Sequence, residues 1–316
     1  MRPLLLTLLA ACAATPDAPT DATDACPVTP ACDLVDEAQD VDGDGAVDLR
    51  SVYAWADGQK TDELHDHDGD GAWDQLIQRD FDDQGRLVSF TEDWGGDGVL
   101  DTAQRHTWQA AGPHLVHVVT DDLTDLVERV ETITLDEAGR EVERAVDDLG
   151  DGTIESRLYT SRDGLLERIA LDNGDDGIID MEVEQVYDAQ ARPVAQSLWH
   201  WGALTGRMTW SYTPCGQVAQ TTIEEGGAIM VVDTTWDDRG RANAITLTVD
   251  GALTRDIRTT WTGDVGVQEE RDAGGAVLRR TELHVDPAGQ VTFERRDHTA
   301  DGTWDQHLWR TWSCEA

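Results

Sequence analysis

Carboxylates recur at a fixed spacing along this sequence of 316 residues. Counting from a first Asp, acids stand at positions one, five and nine in six places: Asp40, Asp44, Asp48; Asp66, Asp70, Asp74; Asp93, Asp97, Asp101; Asp147, Asp151, Glu155; Asp172, Asp176, Asp180; and Asp297, Asp301, Asp305. The first two add Asp42 and Asp68 at position three, giving DVDGDGAVD and DHDGDGAWD. Closely spaced acids around a glycine turn can bring several hard oxygens onto one cation, and Ca²⁺ takes six to eight of them. Ca²⁺ is therefore the expected cofactor, and Asp40, Asp42, Asp44, Asp48, Asp66, Asp68, Asp70 and Asp74 are its candidate ligands. Turn chemistry alone asks for one Asp per turn, whose side chain satisfies local backbone groups. Three acids in each of six loops exceed that need. Loops on a common rim would stand about 10 Å apart, two strand spacings, and would repel one another unless cations intervened.

The DxDGDGxxD pattern resembles the first nine residues of an EF-hand or dockerin-type calcium loop. Position twelve, where that loop carries a bidentate Glu, is Ser51 in one case and Ile77 in the other. The resemblance thus implies modest affinity, or a ligand supplied from elsewhere. His65 and His67 flank Asp66 and read as exposed turn residues. Zinc is not indicated, because no close cysteine pair has paired histidine spacing.

Regular turns position these loops. One class recurs at Gly58, Gly85, Gly112, Gly139, Gly164, Ala191, Gly216, Gly240, Gly266 and Gly289; the Asp-Gly loops form a second class about half a period away, degenerate near Thr124, Trp201, Gly226 and Gly274. Two turns per period of roughly 25 residues leave about eight residues per strand. Alternation agrees: Ile179, Met181, Val183 and Tyr187 share one face and Asp180, Glu182 and Glu184 the other, while Met230, Val232, Thr234 and Trp236 repeat the apolar side. The expected fold class is all-β, a repetitive antiparallel meander of about twenty short strands. Twist makes a strip that long coil, close or fold over on itself, aromatic face inward.

Four residues before the first-class glycine stand Phe81, Trp108, Leu135, Tyr187, Tyr212, Trp236 and Val285, with Trp55, Tyr159 and Trp261 displaced by one. The pattern aromatic-Asp-x-x-Gly-Arg, as in FDDQGR and WDDRGR, is similar to the YD repeat of the RHS family, whose repeats build long antiparallel strips that spiral into a shell. The resemblance covers about Asp40 to Cys314. Most of the twelve tryptophans follow this register and read as core. Trp94, Trp199, Trp201 and Trp309 fall off it and are the candidates for a surface role.

The amino terminus reads as an address. Residues 1–11 carry Arg2 and a short apolar run, too short to span a bilayer, and Leu9-Ala10-Ala11-Cys12 resembles the bacterial lipobox. That resemblance implies lipid attachment at Cys12, a membrane partner through that anchor, and, with Ala13 following, the outer membrane of a Gram-negative cell envelope. Residues 12–39, rich in Ala, Thr, Pro and Asp, read as a disordered tether with a reach of roughly 25 to 30 Å, and residues 40–316 as the repeat domain. The exported context predicts two disulfides among Cys26, Cys32, Cys215 and Cys314, with three connectivities open. Cys26–Cys32 with Cys215–Cys314 is favoured, and the second bond requires a coiled strip, because a flat sheet would hold those ends nearly 40 Å apart.

A formal charge of −40, from 64 acidic against 24 basic residues, excludes nucleic acid and favours cations or a basic partner. No G-x-S-x-G elbow, P-loop, H-E-x-x-H helix or dinucleotide fingerprint is present. The sequence therefore predicts no enzyme but a surface-tethered, non-catalytic repeat lipoprotein, a scaffold or adhesin-like module with calcium-stabilised turns and a protein or glycan partner. The alternative is a glycan-binding or carbohydrate-active protein using the off-register tryptophans. A deep aromatic cleft with a close, desolvated carboxyl pair favours the alternative, and a filled core with only turn loops exposed favours the first.

Overall fold

The computed structural model describes residues 32–314. The lipobox with Cys12, the export signal, Cys26 and residues 12–31 of the expected tether lie outside the described residues.

Twenty-two strands follow one another: β1 (Cys32–Asp40), β2 (Leu49–Ala56), β3 (Gln59–Asp66), β4 (Gln75–Phe81), β5 (Leu87–Trp94), β6 (Thr102–Ala111), β7 (His114–Asp121), β8 (Leu126–Leu135), β9 (Glu141–Asp147), β10 (Ser156–Asp163), β11 (Leu166–Asn173), β12 (Met181–Tyr187), β13 (Pro193–His200), β14 (Ala203–Tyr212), β15 (Val218–Glu225), β16 (Ala228–Trp236), β17 (Ala242–Val249), β18 (Ala252–Thr262), β19 (Val265–Asp272), β20 (Val277–Val285), β21 (Val291–Asp297) and β22 (Gln306–Cys314). Every strand pairs antiparallel with its sequence neighbours, and β1 pairs both with β2 and, from Cys32↔Cys314 to Asp40↔His307, with β22. The meander is therefore one closed barrel with no free edge. Residues 32–39 are strand, not tether: Asp36 to Gln39 are bonded into the ladder on both sides, and such pairing fixes an acidic segment that has little apolar surface of its own.

Closure is stapled covalently. Cys32 and Cys314 form a disulfide across the β1–β22 seam. This overturns the favoured pairing of Cys215 with Cys314 and of Cys26 with Cys32. Cys215, in the β14–β15 turn, is disulfide-bonded too, but not to Cys314. The physical premise of a coiled strip holds. The ends that the bond joins are the two chain-terminal strands, which become adjacent only on closure.

Alternation gives the wall two unlike faces. One carries Trp108, Met181, Val183, Leu247 and Leu308 and is the more sheltered; the other carries Arg50, Arg105, Arg168 and Arg258, all exposed. A perimeter of 22 strands at about 4.8 Å is roughly 105 Å, far too wide for side chains to fill if the barrel is round. Among the described residues only seven apolar side chains are buried, such as Ile133, Val146 and Leu308. No strand comes within 8 Å (Cα–Cα) of any strand but its sheet neighbours. A filled core, the sign set out for the scaffold reading, is not seen among the described residues, and the wall is held by its ladder and by side-chain locks along it.

Those locks are the aromatic-Asp-x-x-Gly-Arg repeat. Asp82 Oδ1 accepts the backbone N–H of Gln84 and Arg86, its Oδ2 accepts Arg86 Nε–H at 2.8 Å, and Gly85 N–H returns to the Asp82 carbonyl. The same set recurs at Asp136–Arg140, Asp188–Arg192 and Asp237–Arg241. Tryptophans near the strand ends tie each strand to the one before: Trp55, Trp108, Trp236 and Trp312 donate Nε1–H to the Leu34, Leu87, Val218 and Val291 carbonyls of the preceding strand, at 2.8 to 2.9 Å. The motif arginine then lies over the aromatic of the next repeat, Arg86 over Trp108, Arg192 over Tyr212 and Arg241 over Trp261.

Two register assignments change. The β18–β19 turn is at Gly263, not Gly266; Gly266 lies opposite Trp261 within the sheet, where a Cβ would come within 2.7 Å of the indole. Tyr159, counted with the inner aromatics, pairs across from Glu143 on the outer face and is exposed, because a one-residue displacement turns a strand side chain over.

Candidate functional site: the carboxylate rim

In a closed meander all odd-to-even connections fall on one rim. The six carboxylate loops are all of that kind, following β1, β3, β5, β9, β11 and β21, so the shared rim follows directly from the topology. The chain enters at Cys32 on the opposite rim.

The loops share one construction. The position-one aspartates Asp40, Asp66, Asp93, Asp147, Asp172 and Asp297 are buried, and Asp40, Asp172 and Asp297 are the largest fully buried side chains among the described residues. Each accepts the N–H of the second loop glycine or its equivalent: Gly45, Gly71, Gly98, Gly152, Gly177 and Gly302 donate at 2.7 to 3.0 Å. Position five accepts an N–H two residues on, as Ala46 to Asp44 and Ala72 to Asp70. Position nine reaches back to the N–H of position two, as Val41 to Asp48, His67 to Asp74 and Asp148 to Glu155, each at 2.7 Å. Thus all three repeated acids act as loop-internal acceptors. Turn chemistry therefore uses three acids per loop, not the single one expected, since a nine-residue loop leaves several N–H groups to satisfy.

Neighbouring loops also nest more closely than two strand spacings suggested. A Cβ on Gly43 would meet the Trp304 carbonyl of the β21–β22 loop, and one on Gly69 the Val47 carbonyl of the β1–β2 loop, at 2.3 and 2.2 Å. Four loops around the seam, after β21, β1, β3 and β5, therefore form one contiguous arc. His307 Nδ1 lies 2.8 Å from Asp40 Oδ2 across the seam. Burial opposes ionisation of Asp40, but the His307 contact and the Gly45 and Gly43 N–H groups outweigh it and hold the carboxyl below the ordinary aspartate value. Asp66 is lowered likewise: burial works against it and is outweighed by backbone donors from Gly71, Gly69, Asp68 and Asp70.

Three loops gather carboxylate oxygens within 4.8 Å of one another: Asp40, Asp42 and Asp48; Asp66, Asp68 and Asp70; and Asp147, Asp151 and Glu155. That separation suits ligands on opposite sides of a calcium-sized ion, and the all-oxygen donor set fits a hard cation. Asp44 and Asp74 belong to the same loops but lie outside these groups. The third group lacks an acid at position three, and only its one-five-nine spacing marked it in the sequence. In the β5–β6 loop Asp93 Oδ1 is buried without a hydrogen-bond partner among the described residues, unlike the oxygens of the other position-one aspartates.

Two side-chain relays on the inner face were not visible in the sequence, because their members come from different strands. His106 Nδ1 lies 3.0 Å from His117 Nε2, and His117 Nδ1 lies 3.1 Å from Glu131 Oε2, with Arg144 and Arg129 on the same carboxylate. Trp108 stacks on His117 with ring centroids 3.9 Å apart. The relay ends on His106 Nε2, which is buried and has no hydrogen-bond partner among the described residues. In the second, Ser51 Oγ is 2.8 Å from His65 Nδ1, but His65 Nε2 and Glu63 Oε2 are 3.7 Å apart. Ser51 is laddered on both sides.

Of the off-register tryptophans, Trp94, Trp201 and Trp309 are 54%, 76% and 37% exposed. Trp199 and Trp309 occupy outer-face positions, opposite Glu182 and Ala38. The concavities beside Trp199 and Trp309 are shallow, and the deep aromatic cleft with a close, desolvated carboxyl pair, set out as the sign of a glycan-binding or carbohydrate-active protein, is not seen among the described residues.

No protein-family model matches this chain, and no curated protein matches it. Among solved structures it is similar to a TcdB2-TccC3 chain, at 12% identity over 82% of this chain and 15% of that one, with a TM-score of 0.36. A chain of the Photorhabdus luminescens Tc holotoxin pore shows 13% identity over 84% of this chain and 16% of that one, TM-score 0.32. A porin-like protein from Bacteroides uniformis shows 10% identity over 89% of this chain and 98% of that one, TM-score 0.27. The chain thus spans about one sixth of the two Tc chains.

Proposed function

We propose that this protein is a non-catalytic barrel held at the surface of a Gram-negative envelope through a lipid on Cys12, serving as a scaffold or binding module whose acidic rim takes calcium. The observation that carries the reading is the rim arrangement: six carboxylate loops on one rim, with the described chain entering at the other. A tether at the entry rim presents the carboxylate loops away from the membrane. The outer wall supports anchoring on, not insertion in, a bilayer. Arg50, Arg105, Arg168 and Arg258 stand exposed on it, and a lipid-facing arginine costs about 2 to 4 kcal/mol at mid-bilayer.

Asp40, Asp42 and Asp48, and Asp66, Asp68 and Asp70, would hold the ions. A bound cation there neutralises the seam arc and stabilises the barrel by mass action. Calcium added to metal-stripped protein is expected to raise the melting temperature, and Asp42→Asn with Asp68→Asn to remove most of that rise, since only these two loops carry the position-three acid. No shift at millimolar calcium would remove the metal reading. Cys12→Ser is expected to release the protein from the membrane fraction, and retention there would remove the anchor.

A further inference from the structure

The β13–β14 hairpin turns through two residues, Trp201 and Gly202, both at positive φ, +47° and +74°. This geometry suits a tight antiparallel hairpin and favours Asn, Asp or Gly at both positions. The chain follows that rule elsewhere: the equivalent turns are Asp57-Gly58, Gly226-Gly227 and Asp250-Gly251, all at positive φ. A bulky aromatic in the left-handed region is strained, and this one buries little, being 76% exposed. Neither turn geometry nor packing accounts for it.

The indole is nevertheless held in place. Trp201 Nε1–H donates to Asp180 Oδ1 at 2.8 Å, and Asp180 Oδ2 is itself fixed by the Asn173 N–H at 2.7 Å. Beside it on the outer face, Trp199 lies directly across from Glu182, and Glu184 across from Arg168. Trp199, Trp201, Glu182, Glu184 and Ile179 line an open groove of about 410 Å³. Arg168 donates Nε–H to Glu184 at 2.5 Å and lies 3.7 Å from Glu182.

We propose that this groove binds a pyranose residue of a saccharide, stacked on Trp201 and Trp199 with its hydroxyls on Glu182 and Glu184. The inference deepens the binding-module reading by naming a ligand class. Two indoles offer an apolar platform to the C–H face of a sugar ring. Sugar hydroxyls can donate to the carboxylate oxygens of Glu182 and Glu184, which line the groove. An ammonium ion is drawn by free carboxylate charge, which Arg168 offsets here at 2.5 Å from Glu184 and 3.7 Å from Glu182. Two rings on an open surface also fall short of the several-sided aromatic cage that quaternary ammonium ligands use.

The test uses the full chain, followed by tryptophan fluorescence, with maltotriose, cellotriose and N-acetylchitotriose as probes and tetramethylammonium as the cationic control. At least one trisaccharide is expected to give a saturable change below about 10 mM, lost in Trp201→Asn and weakened at least fivefold in Glu182→Gln. Trp201→Asn is expected to keep or raise the melting temperature, because Asn suits the turn; a clear fall would assign the indole a stabilising role and overturn the proposal. Silence with all three sugars, or saturation by tetramethylammonium alone, overturns it as well. A protein that melts cooperatively and responds to calcium yet ignores these sugars loses the saccharide site and keeps the scaffold reading.

Discussion

Replacing Cys32 and Cys314 together by serine tests the closure on which the architecture rests. The bond spans a sequence separation of 282 residues, and loop-closure entropy for a loop of that length amounts to about 5 to 6 kcal/mol at 25 °C. For a domain of this size that corresponds to a fall in melting temperature of roughly 8 to 10 °C. The variant still folds, because the seam keeps its backbone ladder, the Asp40–His307 contact and the Arg310–Glu37 ion pair at 2.8 Å. Serine substitution is cleaner than a reductant, which would also break the bond at Cys215. The assay is thermal and denaturant unfolding of the variant beside the unsubstituted protein. Size-exclusion chromatography adds a second readout, since a seam that opens exposes the β1 and β22 edges and invites association. A variant that melts within about 2 °C of the parent and stays monomeric would refute the reasoning, because a covalent tie across a true ring closure cannot be so nearly neutral.

Acid should weaken the barrel in two stages. Burial, then the neighbouring His117, holds His106 below the ordinary imidazole value of 6.5, with Glu131 pulling the other way, and His65 is lowered first by burial. The unfolded chain then binds more protons below that value, so stability is full above about pH 6.5 and falls as pH drops through it. Melting temperature should decline between about pH 7 and 5, less so in His106→Gln; a flat profile would refute the assignment. The lowered carboxylates, Asp40 and Asp66 among them, keep their contribution above about pH 4 and lose it below. Asp237→Ala removes acceptors for the N–H groups of Arg239 and Arg241 and for Arg241 Nε–H and should cost about 1 to 3 kcal/mol by denaturant titration. Asp286→Ala, where Gln290 replaces the arginine and only one such bond is present, should cost less; equal losses would deny the motif arginine a role.

Local chemistry was legible in the residues. Aromatic-Asp-x-x-Gly-Arg specifies a turn whose members contact one another within four positions, so its spacing in the chain is its spacing in space. The same holds for the one-five-nine acids, although their common task proved to be holding loop N–H groups. Departure from the repeat was informative as well: of the tryptophans singled out by register alone, Trp201 occupies a turn and Trp199 and Trp309 face outward, while Trp94 ends β5 across from Gln75. Tyr159 shows the limit, since a displacement of one residue was read as tolerance and instead turned the ring outward.

The sequence by itself determined the strands, their alternation and the two kinds of turn, because each depends on residues a few positions apart. Only the tertiary structure decided that the strip closes, that Cys32 meets Cys314, that His106, His117 and Glu131 line up, and that Glu182 and Glu184 share a groove with Trp199. Those contacts join different strands, and the last ring contact joins the two ends of the described chain. No local spacing encodes them, because the accumulated twist of 22 strands, not any one repeat, sets where the final edge arrives.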